Sequence, residues 1–414
     1  MSAEPEHHLV GDGQPVTPTG RSYLQLVLVL GLLIALGPLT IDMYLPALPD
    51  VGQELQATDS QVQLTLSGIM VGLAFGQLII GPISDAVGRR RPLLIGITAH
   101  AGLSLLCALA PSIALLTTTR VVQGFAGAAI SVTAMAVVRD LFAGRAAASL
   151  MSHLMLVLGI APVLAPTLGG YLLTVTSWRG IFLVLAAVAA MLVALAWFGL
   201  GETLPVSRRR PARIPTILAT YRSLFADRVF LGLVLLAGLM MATLFAYVSG
   251  SPFVLQGVYG MDNQSFGLVF GVIAMGMVVA TQLNPFLLRR YAPQQVLTGA
   301  IIVAMAATAV LVIAAVARAG LPLLLACMFL AISMCAFVFP NAPAVALTRH
   351  GEAAGTAAAM LGAAQFGIAG LVSPLVGVLG TDSATPMAAV MAAAIWTGAF
   401  VLFVVVRPWQ LETD

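Results

Sequence analysis

The chain has 414 residues, of which 60% are hydrophobic and only 8% charged, with a mean hydropathy of +1.02. Soluble domains carry about 25% charged residues, so the composition excludes a soluble globular enzyme and requires an integral membrane protein. The net charge of +3 implies no nucleic-acid partner, because the 19 basic residues, all arginine, fall where membrane topology would put them.

Residues 1–20 are polar and proline-containing, with no arginine before Arg21. They lack the positive n-region of a signal peptide and are expected to form a disordered cytoplasmic tail. A span needs about 20 mostly apolar residues, and twelve such runs follow. They cover 23–48, 62–83, 92–110, 113–138, 147–173, 179–200, 229–252, 265–288, 295–317, 322–347, 354–378 and 385–406. The chain therefore divides into a six-span half at 21–200, an Arg/Pro-rich cytoplasmic linker at 201–228, a second six-span half at 229–407 and a short cytoplasmic tail at 408–414. An even number of spans puts both termini on one side. With that side cytoplasmic, sixteen arginines lie in cytoplasmic segments and two, Arg179 and Arg318, lie outside. The positive-inside rule thus predicts a multi-pass protein of the cell (inner) membrane with both termini cytoplasmic.

Span 1 ends in Thr40-Ile-Asp42-Met-Tyr44-Leu-Pro46-Ala-Leu-Pro49, where Asp42 is the one acid inside any span. The turn after span 2 reads Gly81-Pro-Ile-Ser-Asp85-Ala-Val-Gly88-Arg89-Arg90-Arg91, a tight break with Asp85 and Arg89 four residues apart. His100 in span 3 and His153 near span 5 have no ligand-spaced partner and read as ordinary packing. Span 4 contains Arg120-Val-Val-Gln123-Gly124-Phe-Ala-Gly127, with Arg120 and Gln123 on one helical face beside small residues that admit close helix approach. Arg120 lies roughly 13 Å along its helix, where an intramembrane charge is by default a functional-site candidate. Span 1 rises outward and span 4 descends, so Asp42 and Arg120 sit at similar depths and are expected to face one another. Span 5 carries Gly159-Ile-Ala-Pro162-Val-Leu-Ala-Pro166-Thr-Leu-Gly169-Gly170, and the helix is expected to bend at its prolines.

Gly68 to Pro82 and Gly271 to Pro285 repeat one spacing at an offset of 203 residues, about half the chain. The fold class is therefore all-α, with two related six-helix halves around a midplane cavity, which is a transporter architecture. Cys107, Cys327 and Cys335 lie in apolar runs without metal-like spacing. No phosphate-binding glycine loop or nucleophile constellation is present, so ATP-driven transport and enzyme chemistry are not expected.

The turn after span 2 resembles the G-x-x-x-D-x-x-G-R-[KR] signature of the major facilitator superfamily, and span 4 resembles its R-x-x-x-G motif. Thr40-Ile-Asp-Met-Tyr-Leu-Pro46 resembles the first span of the bicyclomycin/chloramphenicol-resistance (Bcr/CflA) drug:proton antiporters. Phe245-Ala-Tyr247-Val-Ser-Gly-Ser-Pro252 in span 7, Pro340-Asn341-Ala, and Ala354-Gly-Thr to Gln365-Phe366 do so too. The resemblance covers about residues 21–407. It implies a proton-coupled exporter of drug-like or amphipathic small molecules, acting in antibiotic resistance by alternating access. It also implies a cytoplasmic charge latch formed by Asp85, Arg89 and Arg139, built into the turn that Gly81, Gly88 and Arg90 complete. Span 5 resembles the antiporter motif, but Ala165 stands where a glycine usually precedes the proline. On this reading Asp42 alternates between protonated and ionised forms, Arg120 tunes it, and Gln123, Tyr44 and Tyr247 are polar cavity contacts. The proton gradient is the driving force, no cofactor or metal is expected, and the partners are the drug or metabolite, protons and the bilayer around a monomer. The alternative on the same fold is a dedicated exporter or importer of one metabolite. A non-transporting membrane receptor is the reading from another class, and the chain carries no sizeable soluble domain for it.

Overall fold

A computed structural model describes residues 21–142, 144–209, 214–348, 350 and 353–410. The expected tail 1–20, together with Arg210, Arg213 and Arg349, lies outside the described residues. Every regular element among the described residues is helical. The elements are α1 Arg21–Asp42, α2 Leu48–Glu54, α3 Asp59–Val87, α4 Arg90–Ala108, α5 Ile113–Leu141, α6 Gly144–Leu172, α7 Trp178–Gly199 and α8 Ile214–Ala226. They continue with α9 Arg228–Pro252, α10 Asn263–Leu287, α11 Pro293–Val316, α12 Leu321–Thr348, α13 Ala354–Val372, α14 Leu375–Leu379 and α15 Thr385–Phe400. Eleven described segments are long and apolar enough to cross a membrane, and α6, with 29 residues, supplies the twelfth span. This is the expected twelve-span fold.

Polar caps place the helix starts. Thr58 and Gln61 form a reciprocal capping box on α3, and the carboxylates of Asp227 and Asp262 accept backbone N–H groups at the starts of α9 and α10. Each satisfies donors that a helix start leaves open. Proline places the breaks. The first expected span is not one helix: α1 stops at Asp42, a 3₁₀ turn covers Leu45–Ala47, and α2 begins at Leu48. Pro46 and Pro49 cannot donate the bonds that would continue it. The eleventh span likewise breaks after Ser373, before Pro374. The linker carries α8, which sequence periodicity did not disclose.

Helix approach follows the small residues. A Cβ on Gly124 would lie 2.1 Å from the carbonyl oxygen of Ile69, and one on Gly72 would lie 1.9 Å from that of Val121, so α3 and α5 touch backbone to backbone. Between the halves, α3 packs on α13 and α6 on α10. One apolar cluster, running from Ile41 through Trp178 and Phe245 to Met391, joins both halves at the end opposite the chain termini. At the termini end two separate clusters form, one from Leu26 to Leu200 and one from Leu224 to Val406. The bundle is closed at one end and parted at the other.

Polar contacts across the closed end agree. The Gly377 N–H donates to Gln63 Oε1 at 2.8 Å, and the Ser67 and Ser373 hydroxyls are 3.0 Å apart. Gln256 Nε2 donates to the Pro46 carbonyl at 3.2 Å, and the Thr381 hydroxyl donates to Asp59.

Candidate functional site

Between the halves lies a cavity of about 460 Å³, walled mainly by apolar side chains of both. Its few polar groups include Asp42, Gln77, His100, Gln123 and Tyr247. Phe245, Phe270, Phe339 and Phe366 and the methionines Met135, Met241 and Met277 supply much of the rest. Such a wall is adaptable and grips by contact area rather than by many fixed hydrogen bonds.

Asp42 is the last residue of α1 and is 7% exposed, with no hydrogen bond or ion pair to any described residue. The expected pairing with Arg120 is not made. Arg120 is fully buried and absent from the cavity wall. Its Nη1 donates to the Thr40 carbonyl and to Gln123 Oε1, both at 3.0 Å. Its guanidinium carbon lies 5.1 Å from the Tyr44 ring centre and 5.6 Å from that of Phe182. The physical reason is the break in α1. Carbonyls in the last turn of a helix lack their i+4 donors and carry partial negative charge, so an arginine is drawn to cap them. Thr40 competes with Asp42 for Arg120, and in this conformation Thr40 holds it.

A hydrogen-bonded ring continues from there. Gln123 Nε2 donates to Ser104 Oγ at 2.9 Å, Ser104 Oγ donates to the His100 carbonyl at 2.8 Å, and His100 Nε2 lies 3.1 Å from Thr40 Oγ1. The ring ties α1, α4 and α5 together at the cavity wall, with Thr40, His100 and Gln123 on the wall and Arg120 and Ser104 behind it. Tyr44 is also behind the wall rather than in it: its hydroxyl accepts from Thr65 at 3.3 Å, and its ring rests on Phe182. Tyr247 does line the cavity, stacked on Phe270 at 5.2 Å. The structure thus brings Asp42, Gln123 and Tyr247 to the cavity and keeps Arg120 and Tyr44 behind it.

At the parted end, Arg89 Nη1 donates to Asp85 at 2.5 Å and to Ser84 Oγ at 3.0 Å, and its Nε donates to Asp140 at 2.8 Å. Asp140 stands where the sequence reading put Arg139. Arg139 is exposed, because neighbouring residues on a helix point about 100° apart and only one of the two can face Arg89. Glu202, at the start of the linker, accepts the N–H groups of Arg89 at 2.8 Å, Leu204 at 3.0 Å and Arg90 at 3.3 Å. It therefore caps α4. Burial raises the pKa of Glu202, but those amides and the Arg209 guanidinium outweigh it and hold the carboxyl below the usual glutamate range. Gly88 has φ of +99°, and a Cβ there would sit 2.3 Å from Glu202 Oε2, so this position needs glycine both for its backbone and for the seat of Glu202. Arg90 lies over the Trp197 ring and donates to its carbonyl at 2.8 Å. A Cβ on Gly81 would meet open space. All of these contacts are within the first half and the start of the linker, so in this conformation the turn does not bridge the halves.

The glycines of span 5 provide close approach. The α6 helix runs unbroken through Pro162 and Pro166. Gly159 faces Val278 of α10, a Cβ on Gly169 would lie 2.1 Å from the Met43 carbonyl oxygen, and one on Gly170 would lie 2.4 Å from that of Asn263. The segment seals the closed end by backbone contact with α1 and with the second half.

The residues that sequence reading missed are His100, Thr40, Ser104, Asp140 and Glu202. Only His100 stood out beforehand, as a polar ring in an apolar run. The others become meaningful through partners 19 to 113 residues away, for which spacing gives no signal.

The family model of the Major Facilitator Superfamily matches residues 30–374. An uncharacterised MFS-type transporter, YdgK of Bacillus subtilis, is 41% identical over 93% of this chain and 96% of its own. A bicyclomycin resistance protein homologue of Haemophilus influenzae is 32% identical over 91% and 94%. The multidrug resistance protein MdtL of Klebsiella pneumoniae is 28% identical over 92% and 96%. Among solved structures, the nucleoside transporter NupG aligns with a TM-score of 0.75 at 16% identity, covering 93% of this chain and 100% of that one. A D-xylose–proton symporter aligns at 0.74 and 15%, covering 94% and 99%. Helix order, the two halves with their shared cavity, and these matches agree: the chain belongs to the major facilitator superfamily, in its Bcr/CflA-type branch, and is a membrane transporter rather than an enzyme.

Proposed function

We propose that the protein is a proton-coupled antiporter that exports drug-like or amphipathic small molecules from the cytoplasm by alternating access. The observation that carries this reading is Asp42: a buried carboxylate, without a hydrogen-bond or ionic partner, on the wall of an otherwise apolar cavity between the halves. An unpartnered charge in such surroundings is costly. It is relieved by a proton, or by a cationic group on a bound molecule, and those two occupants exclude each other. Exclusive occupancy of one site is the minimum device for exchange.

The arginine bias supports cytoplasmic termini in a cell membrane, so the parted end is the cytoplasmic one and this conformation is inward-facing. A molecule enters from the cytoplasm, displaces the Asp42 proton to that side and is carried outward as the closed end opens. Protonation from outside then releases it and returns the carrier. The relatives' names for bicyclomycin and multidrug resistance support a drug-like cargo.

The test is functional. Expression in an efflux-deficient bacterial host should raise tolerance to members of a drug panel that includes bicyclomycin, and the purified protein should release protons in weak buffer when such a drug is added. Unchanged tolerance across the panel, with no proton release, would refute the reading.

A further inference from the structure

Thr40 is gripped at both of its polar groups. Its hydroxyl donates to the Leu36 carbonyl at 2.6 Å, which leaves Oγ1 as the acceptor of a bond from His100 Nε2 at 3.1 Å. Its carbonyl is capped by Arg120 at 3.0 Å. The donor on Nε2 fixes the tautomer, and His100 Nδ1 is buried with no partner in the structure. A proton on Nδ1 would put a second buried positive charge near Arg120, which has no anion within ion-pair distance among the described residues, and would leave another donor unmet. His100 is therefore a neutral ring that gives one hydrogen bond and carries no charge.

The place where that bond acts matters. α1 ends two residues beyond Thr40, and the next residues enter a 3₁₀ turn containing Pro46, followed by α2 with Pro49 in its first turn. Regular helical bonding stops after the Met43 N–H, which still donates to the Leu39 carbonyl at 3.2 Å, so the direction of this end depends on what holds the last turn from the side. Beside the backbone contact of Gly169 with Met43, two side chains hydrogen-bond it there: Arg120 from α5 and His100 from α4, both on Thr40. His100 is also tied into the ring through the bond from Ser104 to its carbonyl.

We infer that His100 is a positioning residue for Asp42: through its hydrogen bond to Thr40 it fixes the broken end of α1, and with it the aim of the Asp42 carboxylate into the cavity. This rests on Asp42 being the exchange site, but its test does not.

Dicyclohexylcarbodiimide, a lipophilic carboxyl reagent, attacks protonated carboxyls within membranes. Its rate of addition to the Asp42 peptide, followed by mass spectrometry on the purified full chain, reports that side chain's presentation without any substrate. His100→Leu and Thr40→Val each remove the bond and should slow labelling by about fivefold, the population shift that one buried hydrogen bond commands. His100→Gln, whose amide can donate to Thr40 Oγ1, and Thr40→Ser should restore the wild-type rate. A ring that only fills space would lower the melting temperature of His100→Leu and His100→Gln alike and leave labelling of the folded fraction unchanged, which would overturn the inference. Normal labelling in His100→Gln, with pH-driven transport lost as completely as in Asp42→Asn, would make His100 a proton carrier and also overturn it. If instead Asp42→Asn transports normally, Asp42 is not the exchange site, while the labelling series still decides the role of His100.

Discussion

At the residue scale, Arg120 shows how far sequence reasoning reaches. Its presence at mid-span marked it as functional, and its depth matched that of Asp42. The choice of partner was not legible, because it turns on a break in α1 that frees the Thr40 carbonyl. The prolines that make the break were visible, but the apolar run continues through them and reads as one span. Arg120→Ala would leave Thr40 O and Gln123 Oε1 buried without their donor, at about 1–3 kcal/mol for each unsatisfied group. The melting temperature in detergent should fall and transport should be lost. Arg120→Lys keeps the charge but not the planar fork or the stacking on Tyr44 and Phe182, so it should melt between wild type and the alanine variant. If both variants melted like wild type, the capping role would be wrong.

At the scale of elements, the turn between α3 and α4 was recognisable from Asp85, Gly88 and Arg89 alone, since those residues lie within one local motif. Its long-range partners were not. Arg139→Ala should change stability by less than about 0.5 kcal/mol, as for an exposed side chain, whereas Asp140→Asn removes a carboxylate from Arg89 and should slow transport at unchanged expression. Equal effects of the two substitutions would return the latch to Arg139. Glu202 makes a pH prediction. Its folded pKa is depressed, so its contribution is present above the ordinary glutamate value near 4.5 and is lost as pH falls through the lower folded value. Acidification below about pH 4.5 should expose the start of the linker to an acid-active protease, and Glu202→Gln should expose it already at pH 7. The span 5 prolines pointed to a bend, and nothing in the sequence pointed to what the glycines around them touch. Their work is close approach, which depends on a neighbour that the sequence does not name. Gly170→Val should hold the closed end apart, so that a cysteine at Gln63, in a cysteine-free background, reacts faster with an impermeant thiol reagent from outside. No change in rate would remove Gly170 from the seal.

At the scale of the whole molecule, the twelve spans were legible because lipid imposes length directly on composition, and the arginine asymmetry carries the proposed orientation. The two-half repeat runs deeper than the Gly68 and Gly271 spacing. Tyr44 and Pro49 correspond to Tyr247 and Pro252 at the same offset of 203, and α1 and α9 both lose regular α-helical form near those points. The repeat is not followed by charge, since Phe245 occupies the place matching Asp42, so the proposed exchange site belongs to one half. A single carboxylate has an energetic consequence. A monocation exchanged for one proton moves no net charge, so voltage adds nothing and each unit of pH difference supports about tenfold accumulation. A neutral substrate leaves one charge entering per cycle, and 100 mV then adds about 2.3 kcal/mol, roughly fifty-fold. Potassium-valinomycin clamping should therefore leave cation transport unchanged and alter transport of neutral drugs. Voltage-driven cation export would require a second proton site. The most direct measurement uses Asp42→Asn protein in sealed vesicles with an imposed pH gradient and a cationic drug that the wild type accumulates. The account predicts that the variant accumulates none, with folding confirmed by its melting curve. Wild-type accumulation by Asp42→Asn would place the coupling proton elsewhere and contradict the central claim.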